Sequence, residues 1–74
     1  MPPLPVLKGK KVVRIFEKFG WEVARKKDSH IIMVKENSIA TLSIPNHKEV
    51  ARGTLRSLIR SAGLTVQEFE NALR

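Results

Sequence analysis

Between Gly20 and Pro45 the chain has no room for a crossover connection. Three stretches rich in apolar residues, 21–26, 29–35 and 39–44, are separated by Lys27-Asp28 and by Glu36-Asn37-Ser38. A parallel pair of strands needs a dozen or more residues to return, whereas an antiparallel pair needs about two. The spacing therefore predicts a three-stranded antiparallel meander. Asn37 suits the second turn because asparagine tolerates positive φ. Pro45 cannot donate to a ladder and is expected to close the third strand.

On either side of the meander the apolar period changes from two to three and four. Val12, Val13, Ile15, Phe16 and Phe19 predict a helix over 9–19, with Lys10, Lys11, Arg14, Glu17 and Lys18 on its other face. Gly20 suits the end of that helix. Its start has no Ser, Thr, Asp or Asn, which leaves Gly9 as the best available N-cap. After a polar connection over 46–52, Leu55, Leu58, Ile59 and Ala62 predict a second helix over 53–62, stopped by Gly63. Thr65 and Glu68 have the spacing of a capping box and open a short last helix within 65–74 that carries Val66, Phe69 and Leu73. Residues 1–7 hold three of the four prolines and read as an extended arm, with Leu4, Val6 and Leu7 available to pack it onto the domain. The order predicts one α+β domain over 1–74, a two-layer sandwich of helix, three-stranded antiparallel sheet and helix, with a short C-terminal helix.

With 74 residues and no cysteine, this fold has no disulfide and no thiolate zinc site to support it. Packing alone must hold it. The middle strand carries Ile31, Ile32, Met33 and Val34 in a row, so it is apolar on both faces. One face packs on the helices. The other presents apolar side chains, either as scattered surface residues or as a contact for a protein partner.

Charge then narrows the function. The chain has 14 Lys+Arg against 7 Asp+Glu, a net charge of +7. Such a balance attracts polyanions, nucleic acid first among them. Residues 1–60 carry 13 basic and 5 acidic groups, and residues 61–74 carry 1 and 2. Two clusters stand out within the basic part. Arg25, Lys26 and Lys27 lie at the first strand turn. Arg52, Arg56 and Arg60 recur every fourth residue, which forms one row on the second helix. A solvated helix face is the ordinary reading of such a row. No acidic residue lies between Arg52 and Arg60, which favours phosphate contacts instead. No apolar run is long enough to span a bilayer. Met1 leads into Pro-Pro-Leu-Pro rather than a signal peptide, so the cytoplasm is the expected compartment.

Several chemistries lack their residues. Asp28, His30, His47 and Glu49 offer two pairs of metal ligands but no third at close spacing, so no metal and no cofactor are expected. There is no glycine-rich phosphate loop. With one Trp and no Tyr, there is no aromatic platform for stacked bases. Ser29 beside His30 is a neighbour in sequence and makes no triad. Histidine remains. His30 enters the middle strand just after the basic turn, and histidine exchanges a proton near neutral pH. RNA cleavage needs little more. Its 2′-hydroxyl attacks the adjacent phosphorus once deprotonated, and nearby positive charge stabilises the phosphorane. A lone strand histidine is also compatible with a purely structural or exposed role. His47 is a further proton carrier or, alternatively, a helix-entry loop residue touching backbone.

Several stretches together resemble the HicA toxin family (YcfA-like mRNA interferases). They are the basic first helix ending in Gly20-Trp21, Arg25-Lys26-x-x-Ser29-His30, and Ile44-Pro45 with His47 two residues on. Arg52-Gly53-Thr54-Leu55-Arg56 follows, and then Ala62-Gly63-Leu64 leading to Glu68-Phe69. In order, they span Lys8 to about Leu73. The resemblance implies a fold like the double-stranded-RNA-binding domain. It also implies a small toxin of a type II toxin–antitoxin pair that cuts mRNA without metal, and a HicB-like antitoxin that covers the active site. The family's catalytic histidine lies in a Gly-Ser-His motif, which falls on His30. Asp28 stands where that motif has glycine, placing a carboxylate where phosphate must approach. Arg25, Lys26, Lys27, Ser29, Arg52, Arg56 and Arg60 are the expected RNA contacts. The competing readings are a non-catalytic RNA-binding module of the same fold and a protein-interaction subunit with an acidic partner.

Overall fold

The structure, a computed structural model, describes residues 5–73. The expected packing of Leu4 lies outside them. The elements are α1 (Gly9–Glu17), β1 (Trp21–Lys27), β2 (His30–Lys35), β3 (Leu42–Pro45), α2 (Arg52–Ser61) and α3 (Val66–Ala72). The sheet has the order β1-β2-β3, antiparallel throughout. This is the α+β arrangement of helix, meander and helix expected from the turn spacing.

Strand alternation divides the sheet into two faces. Ile31 and Met33 of β2 pair with Ile44 and Leu42 of β3, and all four are buried. They meet Val12, Ile15 and Phe16 of α1 and Leu55, Leu58 and Ile59 of α2 in one cluster. Phe69 of α3 completes it, with its ring 5.5 Å from that of Phe16 at a tilt of 54°. Such an aromatic pair contributes ~0.5–1.5 kcal/mol beyond area burial. The other face of β2 carries His30, Ile32 and Val34. Among the described residues no helix lies over it, and His30 and Val34 are exposed while Ile32 is half-buried.

The expected helix stops are present. Gly63 has φ +75°, and two bonds, Gly63 N–H to Arg60 O and Leu64 N–H to Ile59 O, close α2 as a Schellman motif. Thr65 and Glu68 make the full capping box at the start of α3.

Several boundaries differ from the expectation. Residues 18–20 form a turn after α1 rather than its last turn, with Gly20 at φ +93°. Lys27 belongs to β1, and the two-residue turn is Asp28-Ser29, which removes Ser29 from β2. Residues 39–41 are not strand, and Ile39 is fully exposed. The Ser38 hydroxyl accepts from Ala40 N–H, a local bond that competes with the ladder. β3 also includes Pro45, opposite His30, a place open to proline because β3 is an edge strand. α2 starts one residue earlier than expected, at Arg52, and ends at Ser61.

Gly9 is the first helical residue rather than the N-cap, which is Lys8. The Gly9 N–H, left without a partner by the helix itself, donates to His47 O at 2.9 Å. Gly9 is buried, and a methyl group there would overlap the Pro45 carbonyl oxygen. Gly9→Ala is therefore expected to lower stability by ~1–3 kcal/mol, because backbone must move to admit the methyl. Gly53→Ala, with open space around it, is the control and is expected to stabilise by up to ~1 kcal/mol. Urea unfolding of the two variants checks this. Equal stabilities would show that the α1 start yields easily.

Candidate functional site

His30 stands at the sheet end where the β1–β2 turn, the 46–51 connection and the start of α1 converge. Its neighbour across β1 is Lys27 and its neighbour across β3 is Pro45. Directly opposed residues share a face with Cβ atoms ~5 Å apart, so Lys27 and His30 form one exposed pair. The turn between them is held from the β3 side, since Asn46 N–H donates to Ser29 O at 2.6 Å.

A β-bulge decides which basic residues join them. Val23 pairs with Met33, but Arg25 pairs with Ile32, so Ala24 is the extra residue. Regular alternation from Trp21 would put Lys27 on the helix side with Val23. The bulge inverts the last three residues of β1. Arg25 and Lys27 then share the face of His30, while Lys26 opposes Ile31 and lines a groove against Lys10, Arg14 and Glu17 of α1. The basic cluster of the first turn is thus split between two faces.

The arginine row lies elsewhere. β3 ends beside His30, and α2 starts after the connection and packs back along β3 on the covered face. Arg52 opens α2 near the His30 end. Arg60 lies ~12 Å further along the helix axis. Arg56 and Arg60 flank a groove formed with Ile59, Leu64 and Val66. The row and His30 therefore occupy different layers. His47 contributes its backbone carbonyl to the start of α1, and its side chain is exposed. Among the described residues, no three His, Cys, Asp or Glu side chains gather as a metal site.

Lys8, Lys10 and Lys48 are not linked by any pattern in the sequence. They line a cleft with Asn46 and His47 at this same sheet end. Lys48 is far from the other two in the chain, and the Gly9–His47 hydrogen bond brings the two segments together. Their one signal was the lack of any acidic residue near the start of α1.

A family model described as HicA toxin of bacterial toxin–antitoxin matches residues 9–64. The chain belongs to the HicA toxin family. Its fold also matches a solved structure described as a toxin–antitoxin complex from Streptococcus pneumoniae. That match has a TM-score of 0.70 and 32% identity, and covers 78% of this chain and 98% of the other. No curated protein matches the sequence. Membership of the HicA family makes this chain a toxin of the toxin–antitoxin type. No helix among the described residues is long and apolar enough to cross a membrane. The family span ends at Leu64, so α3 and its buried Phe69 lie beyond it.

Asp28, where the HicA motif has glycine, sits at φ +54°. This is the left-handed region that glycine enters freely and Asp more easily than most residues. The aspartate thus holds a backbone region that glycine enters freely, and it adds an exposed carboxylate two residues from His30. Asp28→Gly is expected to leave stability within ~1 kcal/mol of the parent. Asp28→Val, β-branched at positive φ, is expected to cost ~1–3 kcal/mol. Thermal melting of both variants is the measurement, and a valine variant as stable as the glycine one would refute the strained-turn account.

Proposed function

We propose that the chain is a metal-independent endoribonuclease toxin that cuts mRNA, with His30 as its general acid/base. The observation that carries this reading is an exposed histidine paired with Lys27 at a basic sheet end, in a member of the HicA family. His30 takes the proton of a 2′-hydroxyl, and the 2′-oxygen attacks the adjacent phosphorus. The P–O5′ bond breaks, the leaving 5′-oxygen takes a proton from water, and His30 gives its captured proton to the hydroxide left behind. The products are a 2′,3′-cyclic phosphate and a 5′-hydroxyl. Lys27 and Arg25, on the same face, offset the charge that builds on the phosphorane. Ser29 lies in the turn beside them. Lys26 and the Arg52, Arg56 and Arg60 row, in the other layer, hold strand running away from the cut.

A HicB-like antitoxin is the protein partner in this reading. Support comes from the open sheet face, where Ile32 and the exposed Val34 continue directly from His30. The matched solved structure is itself described as a toxin–antitoxin complex. An antitoxin with apolar residues and acidic groups on its contacting face would cover this strip and exclude RNA.

His30→Ala is expected to reduce cleavage of single-stranded RNA by ~10²–10⁴-fold. Its stability should stay within ~0.5 kcal/mol, because the side chain is exposed. Gel analysis of labelled RNA with chelator present, together with melting curves, checks both. Cleavage lost on adding EDTA and restored by magnesium would overturn the metal-free mechanism. RNA binding by the wild-type protein without any cleavage would favour the non-catalytic RNA-binding module.

A further inference from the structure

The cleft formed by Lys8, Lys10, Asn46, His47 and Lys48 has no assigned role. We infer that it binds a backbone phosphate of the RNA strand beside the one that His30 cleaves, and so sets the register of the substrate. The inference rests on the reading of this chain as an RNA-cutting toxin and adds a site to it.

Position is the first argument. Asn46 follows Pro45, which stands opposite His30, and its N–H is bonded to the turn that carries Ser29. A strand lying across His30 and leaving past Pro45 would run over this cleft.

Chemistry is the second. All five lining side chains are polar, three are lysines and none is acidic. Protein-binding pockets centre on aromatic and apolar anchors and are depleted in lysine. A phosphodiester needs only positive charge and hydrogen-bond donors. Lysine ammonium, asparagine amide and imidazole supply them. The exposed Glu49 is the acidic neighbour along the loop, and it does not line the cleft.

Electrostatics is the third. Lys8 is the N-cap of α1, makes no side-chain capping bond, and is followed by no acidic residue in the first turn. Lysines at the positive end of a helix repel its dipole. α3 carries Glu68 and a full capping box instead. The unfavourable arrangement at α1 is relieved when an anion enters the cleft.

The test uses His30→Ala protein, so that labelled single-stranded RNA binds without being cut, and follows fluorescence anisotropy over a range of salt. Adding Lys8→Ala and Lys48→Ala is expected to weaken binding ~10-fold. The salt slope should fall in magnitude by about 0.7 for each phosphate that the variant no longer neutralises. Lys48→Arg is expected to retain affinity. Lys11→Ala, an exposed charge on α1 outside the cleft, is the control and should weaken binding much less. With His30 intact, the cleft variants should raise KM and leave kcat within ~2-fold, as expected when substrate and transition state are bound equally by the missing groups. Circular dichroism verifies folding, and Lys48→Ala alone serves if the double variant unfolds. Unchanged affinity and slope overturn the inference, as does an equal weakening in Lys11→Ala. Unchanged RNA binding together with weaker binding to an acidic protein would make the cleft a protein-binding surface and also overturn it. If wild-type protein cuts RNA while the cleft variants behave like the parent, only this inference falls. If the parent neither binds nor cuts RNA, the endoribonuclease reading falls with it.

Discussion

Three backbone hydrogen bonds within residues 46–50 hold one end of the molecule together. Gly9 N–H reaches His47 O at 2.9 Å, Asn46 N–H reaches Ser29 O at 2.6 Å, and Val50 N–H reaches Leu7 O at 2.7 Å. They tie the start of α1, the β1–β2 turn and the incoming arm to one short connection. Each contributes ~0.5–1.5 kcal/mol net, but their positional effect is larger. They require the α1 backbone to lie against the Pro45 carbonyl, and only a residue without Cβ fits there. From this contact follow the placement of His30 beside the α1 start and the convergence of lysines from two distant segments.

The two faces of the sheet divide the work. The covered face buries Ile31, Met33, Leu42 and Ile44 against α1 and α2 and carries the stability. The open face carries His30, Arg25 and Lys27 at one end and Glu22 and Ser43 around the short apolar strip of Ile32 and Val34. Packing and charge therefore compete little for the same positions. α3 contributes to the covered side. Phe69 is fully buried against Phe16, and Lys18 Nζ donates to Ala72 O at 2.8 Å. This chain thus completes its core with a segment that follows the residues matched by the family model.

Local preference is set aside at the His30 end. α1 and α2 begin without side-chain caps or acidic first turns, whereas α3 has both. Asp28 holds a left-handed backbone that glycine would adopt more easily. These departures from local preference gather at the sheet end that carries Lys8, Lys10, Lys27 and Lys48.

The sequence by itself determined the element order, the antiparallel meander, the Gly63 stop and the Thr65–Glu68 capping box. Each follows from interactions between residues within a few positions of one another. Periodicity also identified most of the core, since Val12, Ile15, Phe16, Leu55, Leu58 and Ile59 occupy the stripes that α1 and α2 bury. The resemblance carried by short motifs led to the family. Tertiary structure decided what no local pattern encodes. The bulge at Ala24 arises from pairing with β2, and it sends Arg25 and Lys27 to the face of His30 while Lys26 turns to α1. The packing of α2 along β3 places the arginine row in the other layer. The cleft of Lys8, Lys10 and Lys48 exists only because Gly9 and His47, remote in the chain, meet through a hydrogen bond. Short-range propensity and periodicity are legible in a chain, whereas a register shift and a meeting of distant segments are products of how the whole chain packs.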